Sequence, residues 1–191
     1  MTGSSFIGST DFKTACSVGR PPNIVALFPN SNAMIISGKF IDQAILKKGN
    51  AIAMSATARN YYVILWALMT AQWANAGIII EIARSEGGAT AYCAINYWNI
   101  ARTVDAFYNE LGITILVAIY ADHYRVKGAA DITFAKSEIP SMFDSDITSI
   151  ALDASNFSND QNLSANIELN PYATKRAFIE AVEKEVKGSP L

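Results

Sequence analysis

The only histidine of the chain, His123, directly follows an aspartate, Asp122, in the segment IYADHY. An apolar run, GITILVAIYA, leads into this pair and is typical of a buried strand. An imidazole can bind a metal ion, while a carboxylate can transfer a proton. Because neighbours on an extended chain face opposite ways, the two side chains can serve different roles. The other interpretation is an ordinary polar strand end, and a lone histidine there is more often structural or exposed.

Two more segments place polar residues after apolar runs. The segment RSEGGA follows GIIIEIA and offers Ser85, Gly87 and Gly88. Glycines let backbone N–H groups approach an anion closely, so this segment can bind phosphate. It contains neither GxGxxG nor a Walker motif, and its spacing alone favours a flexible loop. Asp153 follows ITSIAL, and its carboxylate can hydrogen-bond a substrate hydroxyl, lie near a metal or cap the next turn, which is the commonest role.

The elements that carry these residues follow from apolar runs that alternate with helical patterns. After an irregular Ser/Gly/Pro-rich start (residues 1–29), the predicted strands are 50–56, 77–83, 113–121 and 147–154, and the predicted helices are 60–76, 96–111 and 131–144. Such near-continuous apolar strands predict an α/β fold of parallel βα units, as an open doubly wound sheet or a TIM-type barrel. In both folds ligands gather beyond the carboxyl ends of the strands. That rule singles out residues 55, 85–88, 122–123 and 153–155.

The composition describes one α/β domain over residues 1–191, with 51% hydrophobic and 17% charged residues. The formal net charge of -2 gives no global field for nucleic acid, so no nucleic-acid partner is expected. Cys16 and Cys93 form no CxxC pair, which favours a reducing compartment. The first residues contain no pattern of a secretory signal, and the predicted location is the cytoplasm.

The hydropathy also allows a membrane span. Between Arg59 and Glu81 lie 21 uncharged residues, which is long enough to cross a bilayer. Polar residues interrupt the run, and Gly77 divides a helix-like half from the β-branched segment 78–80. A buried helix, a glycine cap and a buried strand explain this change of composition, so no membrane partner is expected.

Four quoted segments together resemble the N-terminal half of the class II (metal-dependent) fructose-bisphosphate aldolases. They occur in family order over roughly residues 35–175: KKGNAIAMSATARN, GIIIEIARSEGGA, NYWNIARTVDAFYNELGITILVAIYADHY and ITSIALDASNFSNDQNLSANIELNPY. The resemblance implies a (β/α)8 barrel, here partial, and an aldehyde-lyase. Such an enzyme reversibly cleaves a ketose bisphosphate, fructose 1,6-bisphosphate, to dihydroxyacetone phosphate and an aldehyde. It implies a divalent metal, Zn²⁺, which acts as a Lewis acid on the ketone.

The resemblance also assigns roles to individual residues. Asp122 would transfer the proton of the hydroxyl on the cleaved carbon, and His123 would bind the metal. Ser85, Gly87 and Gly88 would contact the substrate near its carbonyl and phosphate. Asp153 would lie in the outer region of the metal site.

A loose alignment of the C-terminal segment with the family strand ExExG nominates Glu185 as a further metal ligand. The spacing of Phe178, Val182 and Val186, with Gly188 after them, instead predicts a helix and a stop. On that pattern Glu185 is a solvated helix residue.

The chain departs from the family at two histidine positions, which hold Tyr120 and Asn156 here. One histidine replaces the family's three, and a complete barrel needs ~250 residues. We therefore expect a phosphorylated sugar as ligand, and a homo-oligomer or a complementing chain that completes the site. Two other hypotheses stay open: a non-catalytic aldolase-like assembly or binding subunit, and a small doubly wound domain that binds a phosphorylated metabolite without turnover.

Overall fold

The computed structural model describes residues 10–145 and 147–177, which form alternating helices and strands. The helices are α1 (Thr10–Gly19), α2 (Pro22–Leu27), α3 (Gly38–Lys48), α4 (Tyr61–Ala74), α5 (Arg84–Gly87), α6 (Ile100–Glu110), α7 (Ala129–Asp144) and α8 (Asn159–Ala177). The strands are β1 (Ile35–Ile36), β2 (Met54–Thr57), β3 (Ile78–Ala83), β4 (Val117–Arg125) and β5 (Ser149–Asp153).

All five strands belong to one parallel sheet. Strands β2, β3, β4 and β5 are neighbours in chain order, each joined to the next through at least one helix. The short β1 pairs with the start of β4, where Ile35 lies opposite Val117. Strand β5 pairs with the later part of β4, where Ser149 lies opposite Tyr120. This architecture confirms the prediction of an α/β fold built from parallel βα units.

One face of the sheet carries the main hydrophobic core. Ile78, Ile80 and Ile82 alternate along β3 and are buried against the helices. Ile64 and Leu68 of α4 pack into the same core, and α6 contributes a stripe at helical spacing: Ile100, Val104 and Phe107. The alternation of isoleucines is what a strand covered on this face requires.

The other face is apolar only near the amino ends of the strands. There Ile41 of α3 packs on Ile36 and Ala118. Closer to the carboxyl ends of the strands, Glu81 of β3 lies opposite Tyr120 of β4. The side chains on this face are therefore polar toward the carboxyl edge. The sheet therefore has an apolar amino half under α3 and a polar carboxyl half.

The predicted elements match the structure with shifts at their ends. The predicted strand 50–56 is shorter (β2), and the predicted strand 113–121 begins and ends later as β4, which continues to Arg125. The uncharged run 60–80 divides into α4 and β3. Asn60 caps α4 by accepting hydrogen bonds from two backbone N–H groups, and Asn75 ends it in the left-handed conformation. No helix within residues 10–145 and 147–177 is long and apolar enough to cross a membrane.

The expectation of an irregular start over residues 1–29 was wrong for the described part. Residues 10–27 form α1 and α2, and Pro22 occupies the start of α2, a position where its missing N–H is no loss. The buried Arg20 holds the turn between them by donating to the carbonyl oxygens of Ile24 and Phe28. The prolines that suggested a loop in fact begin a helix.

A Gly87→Ala substitution should destabilise the protein by about 1–3 kcal/mol because it overpacks the core. An added Cβ would lie 2.8 Å from Cγ2 of Ile82, which is fully buried. Gly128→Ala is the matched control, since its Cβ would meet nothing within 4 Å. Urea unfolding of both variants measures the difference, and equal stabilities would contradict the packing role of Gly87.

Candidate functional site

A cleft of about 520 Å³ lies at the carboxyl edge of the sheet. Its walls come from α5 and the segment after it, from the end of β4, and from α7. The polar and charged residues that line it are Arg84, Ser85, Thr90, His123, Arg125, Lys127, Asp131 and Glu138. This is the edge at which parallel α/β sheets bind ligands.

A buried ion pair shapes one wall of the cleft. Nε of Arg84 lies 3.1 Å from Oε2 of Glu138, whose side chain is almost completely buried. The same carboxylate accepts a hydrogen bond of 2.5 Å from the Tyr124 hydroxyl, and its Oε1 accepts one from the backbone N–H of Ala89. Each carboxylate oxygen of Glu138 thus has a donor, which a buried charge requires.

Arg84 is held from several sides. Its Nη1 donates to the carbonyl oxygen of Arg125 at 2.6 Å and lies 3.4 Å from Oδ1 of Asp131. Its guanidinium carbon stands 4.6 Å from the centre of the Tyr124 ring, a cation–π distance. Burial and the bond to Glu138 raise the pKa of Tyr124 above its usual range, so this hydroxyl stays protonated. The arginine therefore ties α5, β4 and α7 together.

Asp122 and His123 lie at a β-bulge, not beyond the end of the strand as predicted. Together they stand opposite a single residue of β5, Ala151, because Ala121 pairs with Ile150 and Tyr124 with Leu152. His123 has a φ of 42°, in the left-handed region that residues other than glycine seldom adopt. Such a bulge re-aims side chains and is common beside functional sites. It turns His123 outward, with 68% of its side chain exposed.

The imidazole of His123 stands between two carboxylates. Its Nε2 lies 3.9 Å from Oδ2 of Asp122, and its Nδ1 lies 3.8 Å from Oδ2 of Asp153. Asp153 also accepts from the backbone N–H of Ser155 and from Nε of Arg125, at 3.0 and 3.1 Å. Hydrogen bonds from the hydroxyl and the N–H of Ser155, followed by Arg125, lower the pKa of Asp153 to about 2. Asp153 is therefore a fixed anion at neutral pH.

The side chains of Asp122, His123 and Asp153 do not converge on a single position where a metal ion could bind. The two carboxylates approach opposite nitrogens of the same ring, so an ion bound to one nitrogen would reach only one of them. A catalytic zinc needs three protein ligands at about 2.0–2.3 Å. Within residues 10–145 and 147–177 no group of three or more metal-binding side chains comes together. The predicted ligand set therefore does not fit zinc in the described part of the chain, and Glu185 lies outside that part.

Asp122 itself faces the polar half of the sheet, away from the cleft. Tyr120 precedes it by two residues on the same strand, and Glu81 pairs directly with Tyr120. Burial, followed by the charges of Asp42, Asp122 and Glu81, raises the pKa of Tyr120. Tyr120 is therefore a neutral hydroxyl among carboxylates.

The predicted site residues thus fall into two groups that meet at His123. Ser85, Gly88 and His123 line the cleft, while Asp122 and Asp153 flank the imidazole. Gly87 is buried against Ile82 and does not line the cleft, and Ser55 lies on the neighbouring strand β2.

Sequence reasoning missed most of the charged residues around the cleft. Arg125 and Lys127 lie two and four residues after His123, and a basic residue at a strand end is a signal that could have identified them. Glu138 gave no local signal, because it occurs in an ordinary helical pattern and only the folded chain brings it to Arg84.

No protein-family model matches the sequence, and no curated protein matches it significantly.

The effect of Asp153 on stability should depend on pH. Because its pKa falls from 3.8 to about 2 on folding, its carboxylate stabilises the protein above pH 4, and this contribution disappears as the pH falls to 2. Asp153→Asn should therefore be less stable than wild type at pH 7, and the gap should shrink toward pH 2. Urea unfolding across this range tests the expectation, and a gap that stays constant down to pH 2 would contradict it.

Glu138→Gln should destabilise the protein by about 3 kcal/mol, because it leaves Arg84 largely buried without its closest counter-charge. Asp131→Asn is the matched control. It removes the longer and more exposed contact to Arg84, and it should cost less than about 1 kcal/mol. Chemical denaturation at pH 7 compares the two, and similar losses would show that the buried pair has no special weight.

Proposed function

We infer that this chain is an aldolase-type α/β domain that binds a phosphorylated sugar at the carboxyl edge of its sheet. In this proposal it contributes to a class II aldehyde-lyase that reversibly cleaves a ketose bisphosphate. The observation that carries it is the meeting of Ser85, Asp122, His123 and Asp153 at one edge, on consecutive parallel strands or directly after them. The resemblance supplies the reaction, and the chain order of β2 to β5 is the order that a (β/α)8 barrel requires.

The cleft offers chemistry suited to a phosphate group. Arg84 is neutralised by Glu138 and Asp131, and Arg125 is paired with Asp153. Lys127 also lines the cleft, and its ammonium group forms no ion pair with any residue of the described ranges. The Ser85 hydroxyl and the Lys127 ammonium would therefore hold the anion, with Thr90 as an additional hydroxyl donor.

Asp122 has the role of the proton-transferring group. Its carboxylate is 30% exposed on the polar face of the sheet and lies 3.9 Å from the imidazole of His123, which lines the cleft. In the cleavage direction it would accept the proton of the hydroxyl on the carbon whose bond breaks. Zn²⁺ is the metal that the resemblance implies, and most of its ligands would have to come from a complementing chain or from residues outside the described ranges, such as Glu185.

The central test is cleavage of fructose 1,6-bisphosphate with added Zn²⁺. Asp122→Asn should lower the rate by about 100-fold or more, because the amide cannot accept the proton. Glu110→Gln is the matched control, since this exposed residue ends α6 at the opposite edge of the sheet. Zinc retained by the purified protein should fall on His123→Ala.

A second candidate is a non-catalytic aldolase-like binding subunit, and the separation of the metal donors around His123 favours it. Thermal stabilisation by fructose 1,6-bisphosphate separates the two. Stabilisation that weakens in Ser85→Ala and Lys127→Gln, without any cleavage, identifies the binding subunit. If the protein shows no cleavage and no thermal stabilisation by fructose 1,6-bisphosphate, both candidates are contradicted.

A further inference from the structure

The outer surface of α4 carries large apolar side chains that the fold of the described residues leaves exposed. Tyr62, Trp66 and Trp73 are 68%, 56% and 72% exposed. The buried residues of the helix, Ile64, Leu68 and Ala71, lie on the opposite side. At 100° per residue the three aromatic rings project directly away from the core. They do not belong to the cleft described above.

The spacing of these residues is that of a helix-pairing seam. Tyr62, Trp66, the half-buried Met69 and Trp73 follow one another at intervals of four, three and four residues. This is the alternation of a and d positions along which two helices pack side by side. Here the seam spans three turns and is occupied only by large apolar side chains. We call these four residues the α4 seam.

The absence of charge points to a particular partner. No charged residue occurs in the sequence from 60 to 80. A helix that lies on a membrane surface normally has lysine or arginine beside its apolar face, and α4 has none. A second copy of the same neutral face meets no like-charge repulsion, and self-complementary two-fold contacts are the commonest in soluble oligomers. The chemistry of the seam therefore fits its own copy best.

The area is sufficient for a weak specific contact. Aromatic side chains of ~150–250 Å² each, at these exposures, present roughly 400 Å² per copy. Two copies with Met69 and the flanking backbone reach about 1,000 Å², the lower end for a specific interface. An area at this lower end is typical of a reversible dimer.

We propose that two copies of this chain associate through their α4 seams, with the helices antiparallel about a two-fold axis near residues 66 and 69. Tyr62 of one copy then lies near Trp73 of the other. The dimer needs only the outer face of α4, so it goes beyond the proposed function and would form equally in a protein without lyase activity.

The test is a charge exchange at Trp66, which lies near the axis. Wild-type protein should sediment as a concentration-dependent dimer of twice 20.7 kDa. Trp66→Glu alone and Trp66→Lys alone should each be monomeric, because each brings two like charges close together across the two-fold axis. An equimolar mixture of the two variants should regain the dimer mass. Tyr92→Glu, at an exposed aromatic residue outside α4, is the matched control and should remain dimeric.

Several outcomes would overturn the proposal. A wild-type chain that is monomeric across the micromolar range has no such interface, and a monomer that binds lipid vesicles uses the seam on a membrane. Dimers that persist in both Trp66 variants use another surface. Circular dichroism and urea unfolding check that the variants are folded, which is expected because Trp66 lies opposite the core.

Discussion

The pairing of β4 with three other strands is the constraint on which the rest of the structure depends. Strand β3 runs along one edge of β4. On the other edge β1 pairs with the first residues of β4, and β5 pairs with the later ones. Parallel strands need crossover connections, which are helical here, and these connections place α5 and α7 beside the carboxyl end of β4. The cleft is the space between these two helices and that strand end. Its position is therefore a consequence of the strand order.

The bulge in β4 explains why the polar residues form two groups and not one. In a regular strand Tyr124 would lie on the same face as Asp122, whereas the extra residue at His123 turns Tyr124 into the core. There its hydroxyl reaches Glu138, which in turn holds Arg84 and the cleft wall. Asp122 stays on the opposite, polar face. One inserted residue thus decides which carboxylates share a solvent space and which are separated by the sheet.

Most of the fold could be predicted from sequence, because the signals that define it are local. The isoleucines of β3 and the stripe of α6 have clear periods, and Asn75 and Gly77 mark a real boundary between helix and strand.

The N-terminal helices could not be predicted, since Pro22 is equally typical of a turn and of a first helical turn. The bulge also could not be predicted from sequence. It exists because two residues of β4 lie opposite one residue of β5, which is a property of how the strands pair. Likewise, the contact between Arg84 and Glu138 joins residues far apart in sequence, and no local pattern encodes it.

The same separation of local and non-local information applies to the α4 seam. Its aromatic residues raised the apolar content of the run 60–80 and suggested burial, as large side chains on a helix usually do. The core contacts of α4 in fact come from Ile64, Leu68 and Ala71, with the partly buried Leu65 and Ala67 beside them. One stripe of small and medium side chains covers the sheet. The outward stripe of tyrosine and tryptophan therefore has no packing role within the fold of the described residues. In the proposed dimer α4 therefore has a partner for each of its two apolar stripes. The sheet is the partner of the inner stripe. The α4 seam of a second copy is the partner of the outer stripe, whose side chains are large and uncharged.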